Sequence, residues 1–339
     1  MLRVNRQSHC VTRCITGILV FWLTCLGARV QGVELDGRFV DDAVAATCLA
    51  CTPDGSVVLS DKDGVISIWN WNADSLLHRL DVGETIERLA VSEDGTVVTF
   101  VTSERSVGIW RLRSNDSVTM RRLKSHPTSL AMSRNGDIVV LGTSSGKVTI
   151  LGSEQLEEID RVYATRRARV VVDLSDDGET VAYGDVGGNI RVVRVADLKN
   201  PVDAFSVGQR VACVDFSPDG SQLAVGTLFG GDVIVRDVGQ RDFTLRRSYE
   251  LTVRVVKFLE NGDLLAVGGG RSRKLKVDRR TGFVDVFDVS AAQQPLLHAV
   301  WDSVTVKNVM QHPSGGLFVL GVDGVQRVWA DDAALSVAP

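Results

Sequence analysis

The stretch VDFSPDGSQLAVGT, residues 214–227, decides the fold. Its two apolar runs flank Ser-Pro-Asp-Gly, and alternating positions carry the apolar residues, as half-buried strands require. Asp-Gly suits a tight hairpin because both residues tolerate positive φ. With the glycine as marker, the phrase recurs at Gly55, Gly95, Gly136, Gly178, Gly220, Gly262 and Gly315. The intervals are 40, 41, 42, 42, 42 and 53 residues.

The flanks repeat as well. Six residues before each marker stand Leu49, Leu89, Leu130, Val172, Val214, Val256 and Val309, all aliphatic. After the turn comes a β-rich run such as QLAVG (222–226), then a second turn and a third strand such as VISIW (65–69) or VDVF (284–287). Helical periodicity is missing from residue 33 onward. A fixed period of this length matches four-stranded propeller blades. The expected fold is all-β: a seven-bladed β-propeller of four-stranded antiparallel blades.

SPDG at 217–220, the strand-ending Trp69, Trp110 and Trp329, and LKSH at 123–126 resemble the WD-repeat β-propeller family over residues 46–330. The match is degenerate, since no unit keeps Trp-Asp. Asp61, Asp185 and Asp323 stand where the resemblance places the turn Asp of a buried hydrogen-bond network, but most Trp and His partners are absent. The family commonly closes its ring by lending the last blade a strand from the opposite terminus, which leaves no open edge. VELDGRFV (33–40) is the favoured strand, ahead of AALSV (333–337).

The chain has 339 residues, a hydrophobic fraction of 44% and a net charge of −4. That charge argues against whole-protein attraction to nucleic acid or anionic membrane. The first residues differ in character. Arg3, Arg6 and Arg13 precede the apolar run Ile15–Ala28, and Val30-Gln31-Gly32 follows. This is the pattern of a secretory signal. Residues 1–32 are therefore expected to leave, with 33–339 as the propeller and export to a periplasmic, secreted or lumenal compartment. The alternative is a membrane anchor at residues 15–28, a short run for a bilayer span.

Several motifs invite chemistry and have a plainer reading. Cys48 and Cys51 form C-x-x-C, but on one strand residues three apart face opposite ways. GTSSG (142–146) has Ser144 at the centre of G-x-S-x-G, yet on a hairpin and not on the strand-to-helix turn a nucleophile needs. His78, His126, His298 and His312 lack ligand spacing, and DKDG (61–64) lacks the oxygens of a calcium loop. Asn115-Asp116-Ser117 is a glycosylation sequon in form only. The expectation is a non-enzyme with no cofactor and no metal.

One departure from the period points to binding. The sixth unit is longer by about ten residues, and the excess is RSRKLKVDRR (271–280), in the hairpin between the second and third strands. By resemblance, such hairpins share the top face with the connections between blades. The expected partner-binding residues are Arg271, Arg273, Lys274, Lys276, Arg279 and Arg280, joined by Arg166, Arg167 and Arg169. The expected activity is a protein-interaction scaffold that takes an acidic protein segment or polyanion, since guanidinium pairs with oxyanions in bidentate fashion. The alternative from another class is a propeller enzyme of lactonase-like or quinone-dependent type, with its site at the central channel.

Overall fold

The computed structural model describes residues 28–30, 35–36, 46–52, 54–70, 73, 75–112, 117–166, 168–259, 262–270, 281–290, 294–302, 305–311, 316–321 and 325–328. Every regular element among them is a β-strand. The strands form antiparallel sheets stacked as propeller blades around an axial channel.

Six blades are each built from four consecutive strands, with innermost strands Cys48–Cys51, Ile86–Val91, Pro127–Met132, Val170–Leu174, Val211–Phe216 and Thr252–Phe258. Seven such units were expected, and the number is corrected to six. Among the described residues the last unit supplies Asn308–Gln311, Leu317–Leu320 and Val325–Val328. The two-residue strand Leu35–Asp36 pairs with Val325–Val328 on the outer side of this sheet. The rest of the expected closing segment, and Asp323, lie outside the described residues. So do residues 1–27 of the expected export signal, while Ala28–Val30 pairs with Leu297–Asp302 as a fifth strand of the sixth blade.

Two-residue alternation fixes the register. Leu49 faces Leu59, Val214 faces Val225 and Val256 faces Val267 across the first two strands of their blades. The middle strands are buried on both faces because each sheet is sandwiched between neighbours. The outer strands alternate instead between exposed and half-buried residues, as in Ser75–Asp81 and Glu158–Tyr163.

The marker turns have a chemical cause. Gly55, Gly95, Gly136, Gly178, Gly220 and Gly262 all hold φ between 68° and 83°, a region closed to most side chains. Three residues earlier a hydroxyl clamps the turn: Ser92 Oγ donates to Asp94 Oδ1 (2.7 Å), Ser133 to Asn135 Oδ1 (2.7 Å), Ser175 to Asp177 Oδ1 (2.5 Å) and Ser217 to Asp219 Oδ1 (2.5 Å). The same oxygens accept the backbone N–H just past the glycine, for example Thr96 N (2.9 Å) and Ser221 N (3.1 Å). The Ser-x-Asp-Gly phrase is thus a self-contained hydrogen-bonded loop.

A second glycine column sets the spacing between blades. A Cβ on Gly142 would come 2.6 Å from Val170 O, on Gly184 2.7 Å from Val211 Cγ1, and on Gly226 2.6 Å from Cys213 Sγ. The Gly142 and Gly184 clashes are with the innermost strand of the next blade, and Gly226 meets that strand too, at Val253 Cγ1 2.7 Å away, besides Cys213 of its own blade. Asp61 and Asp185 do not enter a buried inter-blade network. Their carboxylates cap their own hairpins, taking Val65 N and Asn189 N at 2.9 Å.

Candidate functional site at the mouth of the central channel

The channel encloses about 930 Å³ and is lined by the innermost strands of all units. Those strands share an irregularity near the top. The register slips by one residue between Ile86 and Arg88, Pro127 and Ser129, Val211 and Cys213, and Val253 and Val255. Each slip is a β-bulge, which leaves one residue unpaired and re-aims its side chain. The extra residues are Glu87, Thr128, Ala212 and Arg254, and all four line the channel.

At this level the wall is basic. Arg88, Arg169, Arg254 and Lys307 line it, and Arg210 lies behind, near enough to act on Arg169. Burial, then the charges of Arg88, Arg210 and Arg254, lower the pKa of the Arg169 guanidinium. Nε of Arg169 and of Arg210 is buried and has no hydrogen-bond partner. Among the described residues none of these five cations forms an ion pair. Glu87, which lines the same wall, lies 3.4 Å from His126 Nε2.

Further down, charge serves packing. Asp173 Oδ2 accepts Phe216 N of the next blade (2.8 Å), and Asp215 Oδ2 accepts Phe258 N of the blade after it (2.6 Å). Lys257 Nζ donates to Asp215 Oδ1 at 2.6 Å. Three successive blades are stitched by one Asp–Asp–Lys ladder. Burial, then the neighbouring Asp215 charge, pushes the Asp173 carboxyl up to about 7. Burial also raises Asp215, against the pull of Lys257. Among the described residues no group of three or more His, Cys, Asp or Glu has the arrangement of a metal site.

The cysteines follow the plain reading. Cys48 is buried with Sγ directed at Ile86 O (3.8 Å). Burial pushes the Cys213 thiol up to about 12, far from nucleophilic use. Ser144 sits on its hairpin, where its N–H donates to His126 O (2.9 Å), and no helix follows it.

The second-to-third-strand hairpins and the connections between blades do share one face. Leu123 N donates to Arg105 O (2.8 Å), Ala164 N to Gly146 O (2.9 Å) and Val207 N to Gly188 O (2.9 Å). Of the expected binding residues, Arg166 is exposed on this face and Arg169 turns into the channel mouth. Arg167, Arg271, Arg273, Lys274, Lys276, Arg279 and Arg280 lie outside the described residues. Arg88, Arg210 and Lys307 were not anticipated. Their signal was positional: Arg88 lies seven residues before its marker glycine, and Arg254 and Lys307 eight before theirs.

The family model for the WD domain, G-beta repeat, matches residues 35–70 and 201–235. The chain is a WD-repeat β-propeller. Both matches end on a third strand, Val65–Asn70 in one blade and Asp232–Asp237 in another. No curated protein sequence matches the chain. WD-repeat propellers generally mediate protein–protein interaction and are usually non-catalytic.

Proposed function

We propose that this WD-repeat propeller is an exported, non-catalytic scaffold that receives an acidic protein segment on its basic top face. The carrying observation is the set of cations at the channel mouth, none of which forms an ion pair among the described residues. Natural surfaces seldom gather like charges without a counter-charge, because each raises the cost of the others. The bulges add to this reading, since they aim side chains into the channel without disturbing the blade cores. Export is supported by the basic residues and apolar run before residue 29.

Closure of the ring by the N-terminal strand belongs to the same reading. Leu35 pairs with Val328, and Asn308 Nδ2 donates to Leu49 O at 2.9 Å, linking the last unit to the first. The second family match begins on the outer strand Asp197–Ser206, and the first begins at Leu35, in the equivalent place.

Comparative affinity capture tests the function. The baits are the full chain and a version with Arg271, Arg273, Lys274, Lys276, Arg279 and Arg280 replaced by Ser. Partners lost from the second bait are expected to be acidic proteins. Identical partner sets would refute the role of this loop in binding.

A further inference from the structure

We infer that the channel mouth is a phosphate-binding subsite, in which Arg88, Arg169, Arg254 and Lys307 hold a dianionic phosphate or phosphate ester. This rests on the top-face reading above and gives its ligand a chemistry. Three observations combine. The four side chains come from four different units of the ring yet line one cavity, so the fold and not the sequence brings them together. The guanidinium of Arg169 is held among like charges, Arg88, Arg210 and Arg254. One of the four, Arg169, has its Nε buried without an acceptor, as has Arg210 behind it.

A buried N–H with no acceptor is uncommon in a native protein, so Arg169 Nε is suited to take an acceptor from a ligand at the mouth. The number of cations then selects the ligand. A carboxylate brings one charge and two oxygens, which leaves most of this collar unanswered. A phosphate monoester brings about −1.5 to −2 charges at neutral pH and three acceptor oxygens. Guanidinium forks match that geometry in bidentate pairs. Glu87, the acid on the same wall, contacts His126 Nε2 at 3.4 Å and forms no ion pair with the four cations. Ala212 and Thr128, the small bulged residues of the wall, leave room where a larger side chain would fill the mouth.

The test is pyrophosphate titrated into the purified full chain by calorimetry, at constant ionic strength with sulfate as the control anion. Wild-type protein is expected to bind pyrophosphate at least tenfold more tightly than sulfate and to melt at a higher temperature when loaded. The double variant Arg88→Gln/Arg254→Gln is expected to lose at least tenfold in affinity. Its ligand-free melting temperature should rise, because two members of a repelling group are gone. A folding defect would move melting the other way, so the two effects are separable. A serine-phosphorylated peptide and its Glu-substituted copy identify the source of the phosphate. Displacement of pyrophosphate by the phosphopeptide alone means a phosphoprotein partner, and displacement by neither means a free polyphosphate. Either result supports the subsite. Equal affinity for pyrophosphate and sulfate, or a double variant that binds as wild type does, overturns it. The variant with the six basic residues of 271–280 replaced by Ser separates this inference from the scaffold reading. If it keeps pyrophosphate but captures the same proteins as wild type, the subsite stands and the loop's role in partner binding fails.

Discussion

Asp215→Ala tests how the blades are held together. Asp215 is 4% exposed, and its two oxygens serve two different groups of the next blade. Oδ2 accepts Phe258 N at 2.6 Å, and Oδ1 takes Lys257 Nζ at 2.6 Å. Truncation leaves the Phe258 N–H buried and unpaired, which costs about 1–3 kcal/mol. The ion pair adds less. The Lys257 side chain stays 39% exposed to channel water, so the pair contributes at most about 1 kcal/mol. Relief of the repulsion between Asp215 and Asp173 offsets part of the loss. The net expectation is about 2 kcal/mol, or a drop of about 3 °C in melting temperature for a domain of this size. Asp215→Asn keeps an oxygen for Phe258 N and gives up both the attraction and the repulsion, so it should stay within about 1 kcal/mol of wild type. Urea unfolding followed by circular dichroism gives both values. If the Ala and Asn variants unfold together, the backbone acceptor is not what matters, and the stitching of blades by this ladder is refuted.

Three further outcomes follow from the geometry. Arg105 holds φ 65° at a turn where other blades place glycine, as at Gly146 and Gly188, and Arg105→Gly should raise stability by about 0.5–1 kcal/mol in a denaturant titration. Gly226→Ala should destabilise by about 1–3 kcal/mol, because its Cβ would meet Cys213 Sγ at 2.6 Å and Val253 Cγ1 at 2.7 Å; an unchanged melting curve would show that the blades are looser than drawn. Asp173 binds its proton more tightly folded, with a pKa of about 7, than unfolded at about 3.9, so its ionisation costs stability as pH rises between those values and costs fully above 7. Stability of Asp173→Asn relative to wild type should therefore climb from pH 4 to pH 7 in unfolding midpoints and stay level beyond, and a flat difference would contradict it.

The repeat was legible because each turn is a local event. Ser217, Asp219 and Gly220 form their loop with each other and with Ser221 and Gln222, so the phrase can be read without knowing its neighbours. Alternation around Val214 gave the strand and its buried face for the same reason. Strand count at the end was harder, because Leu35–Asp36, which pairs with Val328 and Arg327, lies about 290 residues earlier in the chain. The binding region was half legible. Arg169 was found as part of a basic run, but Arg88 and Lys307 stand alone in sequence and become neighbours only through the ring. Gly142, Gly184 and Gly226 read as ordinary strand ends, and only the closeness of the next blade explains them. The Asp ladder was missed because Asp173, Asp215 and Lys257 are 42 residues apart, one period each, and align only when the units are superposed.

The bulges at Glu87, Thr128, Ala212 and Arg254 make the mouth of the propeller a set of interchangeable sockets. Each such residue has no ladder partner across its blade, so its identity is released from the demands of sheet pairing. A chain can therefore trade alanine for arginine, or threonine for glutamate, at these places one at a time. Specificity at the mouth is free to drift while the architecture beneath it stays the same.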